Sequence, residues 1–222
     1  MRRKFGFDSS LTLPDAGKGD SAYPMFDAKA FRSALGSFVT GVTIVTARSA
    51  DGKPYGLTAN SFNSVSLDPP MVLWSLALSS ASLPVFRQAE SWAVHILAAD
   101  QQAMSDRFAA PDIDRFAGLD SQDGAEGAPL IEGCAARFGC KAQFEYEGGD
   151  HAIFLGEVID FHRSDMEPLI YHGGRYGRVM RGADEDDLEL QGLAEREHGD
   201  LALTARGAEL LEALQALSDS RD

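Results

Sequence analysis

Cysteine, basic charge and long apolar runs are all scarce in this chain, and each scarcity removes a class of protein. Only two cysteines occur in 222 residues, so the disulfide framework that staples small secreted domains is excluded. Twenty Lys and Arg stand against 34 Asp and Glu, giving a net charge of −14. That balance argues against a nucleic-acid partner, because phosphates need a basic surface. No apolar run approaches the roughly 20 residues that cross a bilayer. The basic start Met1-Arg2-Arg3-Lys4 leads into polar sequence with Gly and Pro, with no secretory h-region. A cytoplasmic protein with neither membrane nor nucleic-acid partners is the expectation.

Several familiar catalytic motifs are missing as well. No G-x-G-x-x-G opens a helix after a strand and no G-x-x-x-x-G-K-[ST] occurs, so a Rossmann or P-loop nucleotide site is not expected. The five histidines form no H-E-x-x-H pattern, and there is no G-x-S-x-G nucleophile elbow. His162 and His172 flank a hairpin-like turn, but two histidines alone do not make a zinc site, and no metal is expected.

What is present reads as strands. From Cys134 to Tyr146 apolar and polar residues alternate, with Cys134, Ala136, Phe138, Cys140, Ala142, Phe144 and Tyr146 on one face. Six residues along a strand cover roughly 20 Å, too far for a disulfide, so Cys134 and Cys140 are expected as buried free thiols. Further strands are expected over 42–48, 55–62, 71–78, 92–97, 130–146, 151–163 and 168–172. Asp51-Gly52 and Gly148-Gly149-Asp150 supply hairpin turns. Three short helices fit between them. Asp27 caps a stripe of Ala30, Phe31, Ala34, Leu35 and Phe38 that ends near Gly41. Ser82 precedes Pro84, and Asp100 opens a segment through Met104 and Phe108. Strands spaced by tight turns instead of by long helices indicate an antiparallel barrel or sandwich.

Three regions follow from composition. Residues 1–25 lack periodicity and read as an arm, 26–180 as the main domain, and 181–222 as an acidic linker with a C-terminal helix. From Arg181 onward there are 12 acidic and four basic side chains. Thr204 is placed to cap the last helix, with Leu210, Leu211, Leu214 and Leu217 on one side.

The segment Gly56 to Pro70 stands apart. Thr58, Asn60, Ser61, Ser64 and Ser66 put five short hydrogen-bonding side chains into nine residues of an extended run. Such a run is either a strand edge facing water or a strand on which a polar ligand lies.

Taken in order, Thr40-Gly41-Val42-Thr43-Ile44-Val45-Thr46, the Gly56–Pro70 segment, Ser105-Asp106-Arg107-Phe108, Gly149-Asp150-His151 with Gly156-Glu157-Val158, and Pro168-Leu169-Ile170-Tyr171 with Arg175-Tyr176 resemble the flavin reductase-like family. These are the small reductase components of two-component flavin-dependent monooxygenases. The resemblance implies a mainly β fold, the antiparallel FMN-binding split barrel, with a few short helices and here a C-terminal helical tail. It implies a homodimer that reduces FMN or FAD with NADH or NADPH, by hydride transfer to flavin N5, and releases diffusible reduced flavin to a partner monooxygenase. A non-catalytic flavin- or haem-binding carrier or sensor on the same barrel is the alternative.

The resemblance also assigns residues. Thr58, Ala59, Asn60 and Ser61 are suited to approach the flavin ring, where donors are needed as charge develops. Ser75, Ser80, Ser82 and Arg107, with Phe108 beside it, are candidates for the cofactor and its phosphate, which a guanidinium binds in a bidentate fork. An exposed helical Arg paired with Asp106 or Asp112 is the plainer reading of Arg107. His151 is expected near the flavin face in a role toward NAD(P)H, against the plainer reading of a strand-terminal histidine. Tyr171, Arg175 and Tyr176 are expected to close the pocket, unless the tyrosines are simply core. His95 departs from the family's usual Asn. The tail from Leu201 to Leu211 resembles the last strand and helix of MarR-type regulators, but is too short for that whole domain.

Overall fold

The structure, a computed structural model, describes residues 27–119, 122–124, 127–179, 193–197 and 200–219. The arm expected over 1–25 lies outside these residues. The chain divides after Val179 into two compact units.

The first unit opens with helix α1 (Ala28–Gly36), whose N-cap Asp27 accepts a hydrogen bond from the Ala30 amide at 2.7 Å. It stops at Gly36, short of the expected end near Gly41. Ten strands follow: β1 (Thr40–Gly41), β2 (Thr43–Arg48), β3 (Pro54–Ala59), β4 (Asn63–Leu67), β5 (Pro70–Ala77), β6 (Ser91–Ile96), β7 (Ala136–Gly148), β8 (His151–Arg163), β9 (Leu169–His172) and β10 (Arg175–Arg178). Helix α2 (Leu83–Gln88) lies between β5 and β6, and α3 (Gln102–Ala109) between β6 and β7. Gln101, not Asp100, stands at the α3 cap, and Ser82 caps α2 without a side-chain bond.

Seven strands pair antiparallel in the order β3-β2-β6-β7-β8-β5-β4. Laid flat, six gaps of about 4.8 Å would hold the two edge strands some 29 Å apart. Yet β3 and β4 are joined by only residues 60–62, a link that reaches about 14 Å at full extension. The sheet must therefore curl until its edges approach, and that is the split barrel. The extended run expected from Tyr55 to Phe62 is accordingly corrected: the chain breaks at Asn60 and crosses from one sheet edge to the other. A second sheet, β1-β9-β10, is antiparallel as well.

Inside the barrel pack Val45, Leu57, Val72, Trp74, Trp92, Val94, Cys140 and Phe154. Trp74 stacks on Phe154 with ring centroids 4.8 Å apart and meets Trp92 edge-on at 6.0 Å. Each such side chain contributes about 1.5–3 kcal/mol by leaving water. A second core, on the outer face of β2 and β6, gathers Val42, Ile44, Leu97, Phe108, Ile131 and Leu169.

The expected strand over 130–146 begins only at Ala136. Cys134 lies in the loop before it, and both cysteines are buried and free. Burial pushes each thiol up to about 12. The apolar face expected to run through Phe144 and Tyr146 fails there, because both are exposed.

The second unit holds a hairpin of β11 (Ala194–Glu197) and β12 (Asp200–Leu203), followed by helix α4 (Ala205–Asp219). A linker was the expectation over 181–200, so β11 corrects it in part. Thr204 does cap α4, its hydroxyl accepting from the Gly207 amide at 3.1 Å. Among the described residues no helix is long and apolar enough to cross a membrane.

Candidate active site

Residues 58–61, at the end of β3, connect two parts of the barrel through side-chain hydrogen bonds. The Thr58 hydroxyl donates to the Ser105 carbonyl on α3 at 2.6 Å. The Thr43 hydroxyl donates to the Ala59 carbonyl at 2.6 Å, fixing the last rung between β2 and β3. On the other side, the Ser61 hydroxyl donates to the Ser75 carbonyl and accepts from the Ser75 amide, both at 3.0 Å. That pair carries the β4–β5 register on past Asn63 and Leu73 and ties the crossing loop to β5, with bonds that a strand ladder would otherwise supply.

Between these anchors, the amides of Asn60, Ser61 and Phe62 lie outside the strand ladder, and no acceptor among the described residues takes them. Three consecutive unclaimed amides on an accessible loop make a donor set for an oxygen- and nitrogen-rich ligand edge. A flavin ring, which presents such an edge, fits this chemistry.

The Thr58 end continues through α3 to the small sheet. Ser105 and Tyr176 share a hydroxyl–hydroxyl bond of 2.9 Å, and the Tyr176 hydroxyl donates to the Asp106 carboxylate at 2.9 Å. Burial raises the Tyr176 phenol above its ordinary value, and the neighbouring carboxylate works the same way. Tyr171 packs edge-on against Tyr176 at 5.4 Å. Phe108 is wholly buried, its ring against Phe116 at 5.1 Å, so it builds the wall beneath β3. Arg107 donates to the Ala117 carbonyl. Arg115 donates to the Gly56 carbonyl at 2.8 Å and to Ala110 at 3.1 and 2.9 Å, tying the long α3–β7 loop down.

The Ser61 end leads to His151. Ser75 is two residues from Ala77, which pairs with His151 at the start of β8. Ser80 and Ser82 lie just beyond, where the Ser80 hydroxyl accepts from the Ser82 amide at 3.3 Å. His151 Nδ1 is 2.6 Å from the Asp150 carboxylate. Arg175 is exposed at the β9–β10 turn, in register with His172. The assigned residues thus fall into a Tyr176–Thr58 group and a Ser61–Ser75–His151 group, joined by Ala59 and Asn60.

Sequence reading passed over Ser105, Asp106 and Asp150. Ser105 and Asp106 stood inside a quoted motif, but their partner Tyr176 is 70 residues away in the chain, beyond any local pattern. Asp150 carried a usable signal, an acid beside a histidine in a tight turn. His95 is fully buried, and burial lowers it to about 4. Its Nε2 accepts from the Ile131 amide and its Nδ1 lies 3.1 Å from the Ile44 carbonyl, so the proton sits on Nδ1. Here it bolts the α3–β7 loop to the sheet. His162 and His172 stand on different strands, and among the described residues no three His, Cys, Asp or Glu gather to hold a metal.

Residues 35–180 match the family model described as the flavin reductase like domain. The chain belongs to the flavin reductase-like family. Among its relatives is an FMN reductase (NADH), SmoA, of Agrobacterium fabrum, 47% identical over 155 residues that cover 70% of this chain and 88% of that protein. The reductase component of the flavin-dependent trigonelline monooxygenase of Acinetobacter baylyi is 45% identical over 145 residues, 65% of this chain and 47% of that protein. This chain therefore aligns with about half the length of the Acinetobacter relative. The solved NADH:FAD oxidoreductase SgcE6 of Streptomyces globisporus, in complex with NAD and FAD fragments, superposes with a TM-score of 0.67 at 40% identity. That match covers 73% of this chain and 100% of the solved chain.

Proposed function

We propose that this chain is an NAD(P)H:flavin oxidoreductase that reduces FMN or FAD and supplies reduced flavin to a separate monooxygenase. The observation that carries the reading is the polar seam: three unclaimed amides at residues 60–62, flanked by anchored hydroxyls and followed by His151. When bound, a flavin accepts two electrons as a hydride at N5 from the nicotinamide.

The chain's own residues hold and orient. The Asn60–Phe62 amides donate to the polar edge of the flavin, while the bonds of Thr58 and Ser61 keep that loop at fixed spacing. Fixed donors need no reorganisation as charge develops on the ligand, which is how such a loop favours reduction. Arg107, with Ser80 and Ser82, takes the phosphate. His151 positions the nicotinamide nucleotide, and Tyr171, Arg175 and Tyr176 border the opening. Hydride transfer requires stacking of the two rings more than it requires a base, so no residue is assigned as a general base.

The working unit is a homodimer. Helix α1 buries none of its residues, and Leu35 and Phe38 are 59% and 73% exposed. An apolar face of this kind marks an interaction surface, and a second copy is its occupant. Residues 26–180 form the reductase domain, and the acidic segment from 181 onward is a separate appendage.

Steady-state oxidation of NADH and NADPH with FMN, FAD and riboflavin tests the reading. Acceleration well above background is expected. Folded protein that binds flavin without turnover would instead establish a carrier or sensor. Sedimentation tests the dimer, which a mass of one chain, 23.9 kDa, would exclude.

A further inference from the structure

We propose that Asp150 is a positioning residue for His151, holding the imidazole in the tautomer protonated on Nδ1 so that Nε2 serves the nicotinamide nucleotide. The inference rests on the reductase reading above, and adds a residue and a mechanism to it.

The geometry begins with the hairpin. Gly148 pairs with His151, so Gly149 and Asp150 form a two-residue loop between β7 and β8. Gly149 takes φ +66°, a conformation that favours glycine and that such loops require. The Asp150 carbonyl accepts from the Leu78 amide at 2.8 Å, which fastens the loop to the end of β5. With the backbone fixed on both sides, the Asp150 carboxylate sits 2.6 Å from His151 Nδ1.

An acceptor-only carboxylate selects the ring form that can donate to it. The bond from His151 holds the Asp150 carboxyl below its ordinary value, and Arg32 adds attraction, so the acceptor stays ionised. Asp150 is 95% exposed and His151 44%. A contact that open adds little to stability, so its consequence lies in ring orientation and tautomer. A ring whose Nδ1–H is taken has a bare Nε2 acceptor, suited to a donor such as a ribose hydroxyl or the nicotinamide amide. His151 is in register with Ala77, two rungs along β5 from the Ser75 that anchors the loop.

Two measurements decide the matter. In 15N NMR of the purified chain, the neutral His151 ring is expected to carry its proton on Nδ1. In Asp150→Ala the population should move toward Nε2–H. A wild-type ring already protonated on Nε2, or one unchanged in the variant, overturns the proposal. In kinetics, Asp150→Ala should lower kcat/KM for NADH about tenfold and leave FMN affinity within about twofold. Asp150→Asn keeps an acceptor oxygen and should recover most of that loss. In a His151→Ala background, Asp150→Ala should cost nothing further. Additive losses in an active enzyme remove the role of Asp150 alone. A wild-type chain that oxidises no NADH with any flavin removes the reductase reading, and this role with it.

Discussion

A single hydroxyl, that of Ser61, both donates to the carbonyl and accepts from the amide of Ser75, at 3.0 Å in each direction. Side-chain oxygen here replaces a backbone rung of the β4–β5 ladder, on the loop that links the two sheet edges. Ser61→Ala leaves a partly buried amide and carbonyl of β5 without partners, at a cost of about 1–3 kcal/mol. Urea unfolding should show that loss. FMN affinity should fall with it, because the 60–62 amides lose their anchor. A variant of unchanged stability would mean that the seam is held by the barrel strands alone.

Gly156 faces Trp92 inside the barrel. A methyl group there would meet Trp92 Cη2 at 2.8 Å and the Lys141 carbonyl at 3.1 Å, and neither the indole, which is fully buried, nor the strand can easily retreat. Gly156→Ala is expected to destabilise by about 1–3 kcal/mol through overpacking. Gly41, where a Cβ meets nothing within 4 Å, is the control, and Gly41→Ala should stay within about 0.5 kcal/mol. Equal melting temperatures for the two variants would contradict this account.

Much of this architecture was legible from residues alone. Asp27 as a cap, the Asp51-Gly52 and Gly149-Asp150 turns, and the alternation through Phe138, Cys140 and Ala142 each rest on local chemistry, and each is found. Closure of the barrel was not legible, because it depends on which strands become edges, and that is fixed by pairing between residues far apart. The apolar pattern also misled at Phe144 and Tyr146. A bulge between Ala142 and Phe144 shifts the register of β7 on β8, so Phe144 and Tyr146 pair with Leu155 and Ile153 on the face away from the buried Phe154 and Ala152. Strand β11 was missed for the opposite reason, since Ala-Glu-Arg-Glu carries no alternation at all. In the candidate site, the loop from Thr58 to Ser61 stood out by its polar composition. The engagement of its hydroxyls with Ser105 and Ser75 required the fold.

His95 predicts a pH dependence of stability. Its folded-state pKa is lowered from 6.5 to about 4, chiefly by burial. The unfolded chain therefore takes up a proton near pH 6.5 that the folded chain refuses until about pH 4. The stabilisation is fully present above pH 6.5 and is lost as the pH falls toward 4. Between pH 7 and 5 this group alone should remove roughly 2 kcal/mol. A His95→Gln variant, less stable at pH 7, should lose less over the same interval. Parallel profiles for the two proteins in denaturant titrations would show that His95 does not set the slope.

Arg107 is the sharpest test of how the cofactor phosphate is held. Its guanidinium donates to the Ala117 carbonyl, which uses part of a group that carries five N–H donors. The remaining donors suffice for a phosphate oxygen, and the loop contact would pre-orient the fork. On this account Arg107→Ala weakens FMN about tenfold or more, the scale of one charge-assisted bond. Riboflavin, which has no phosphate, should change by less than about twofold. Titration of both ligands by quenching of flavin fluorescence reads the difference directly. If Arg107 serves only to tie the loop at Ala117, FMN and riboflavin will weaken together, and the phosphate must then be assigned to Ser80, Ser82 and the α2 end of the site.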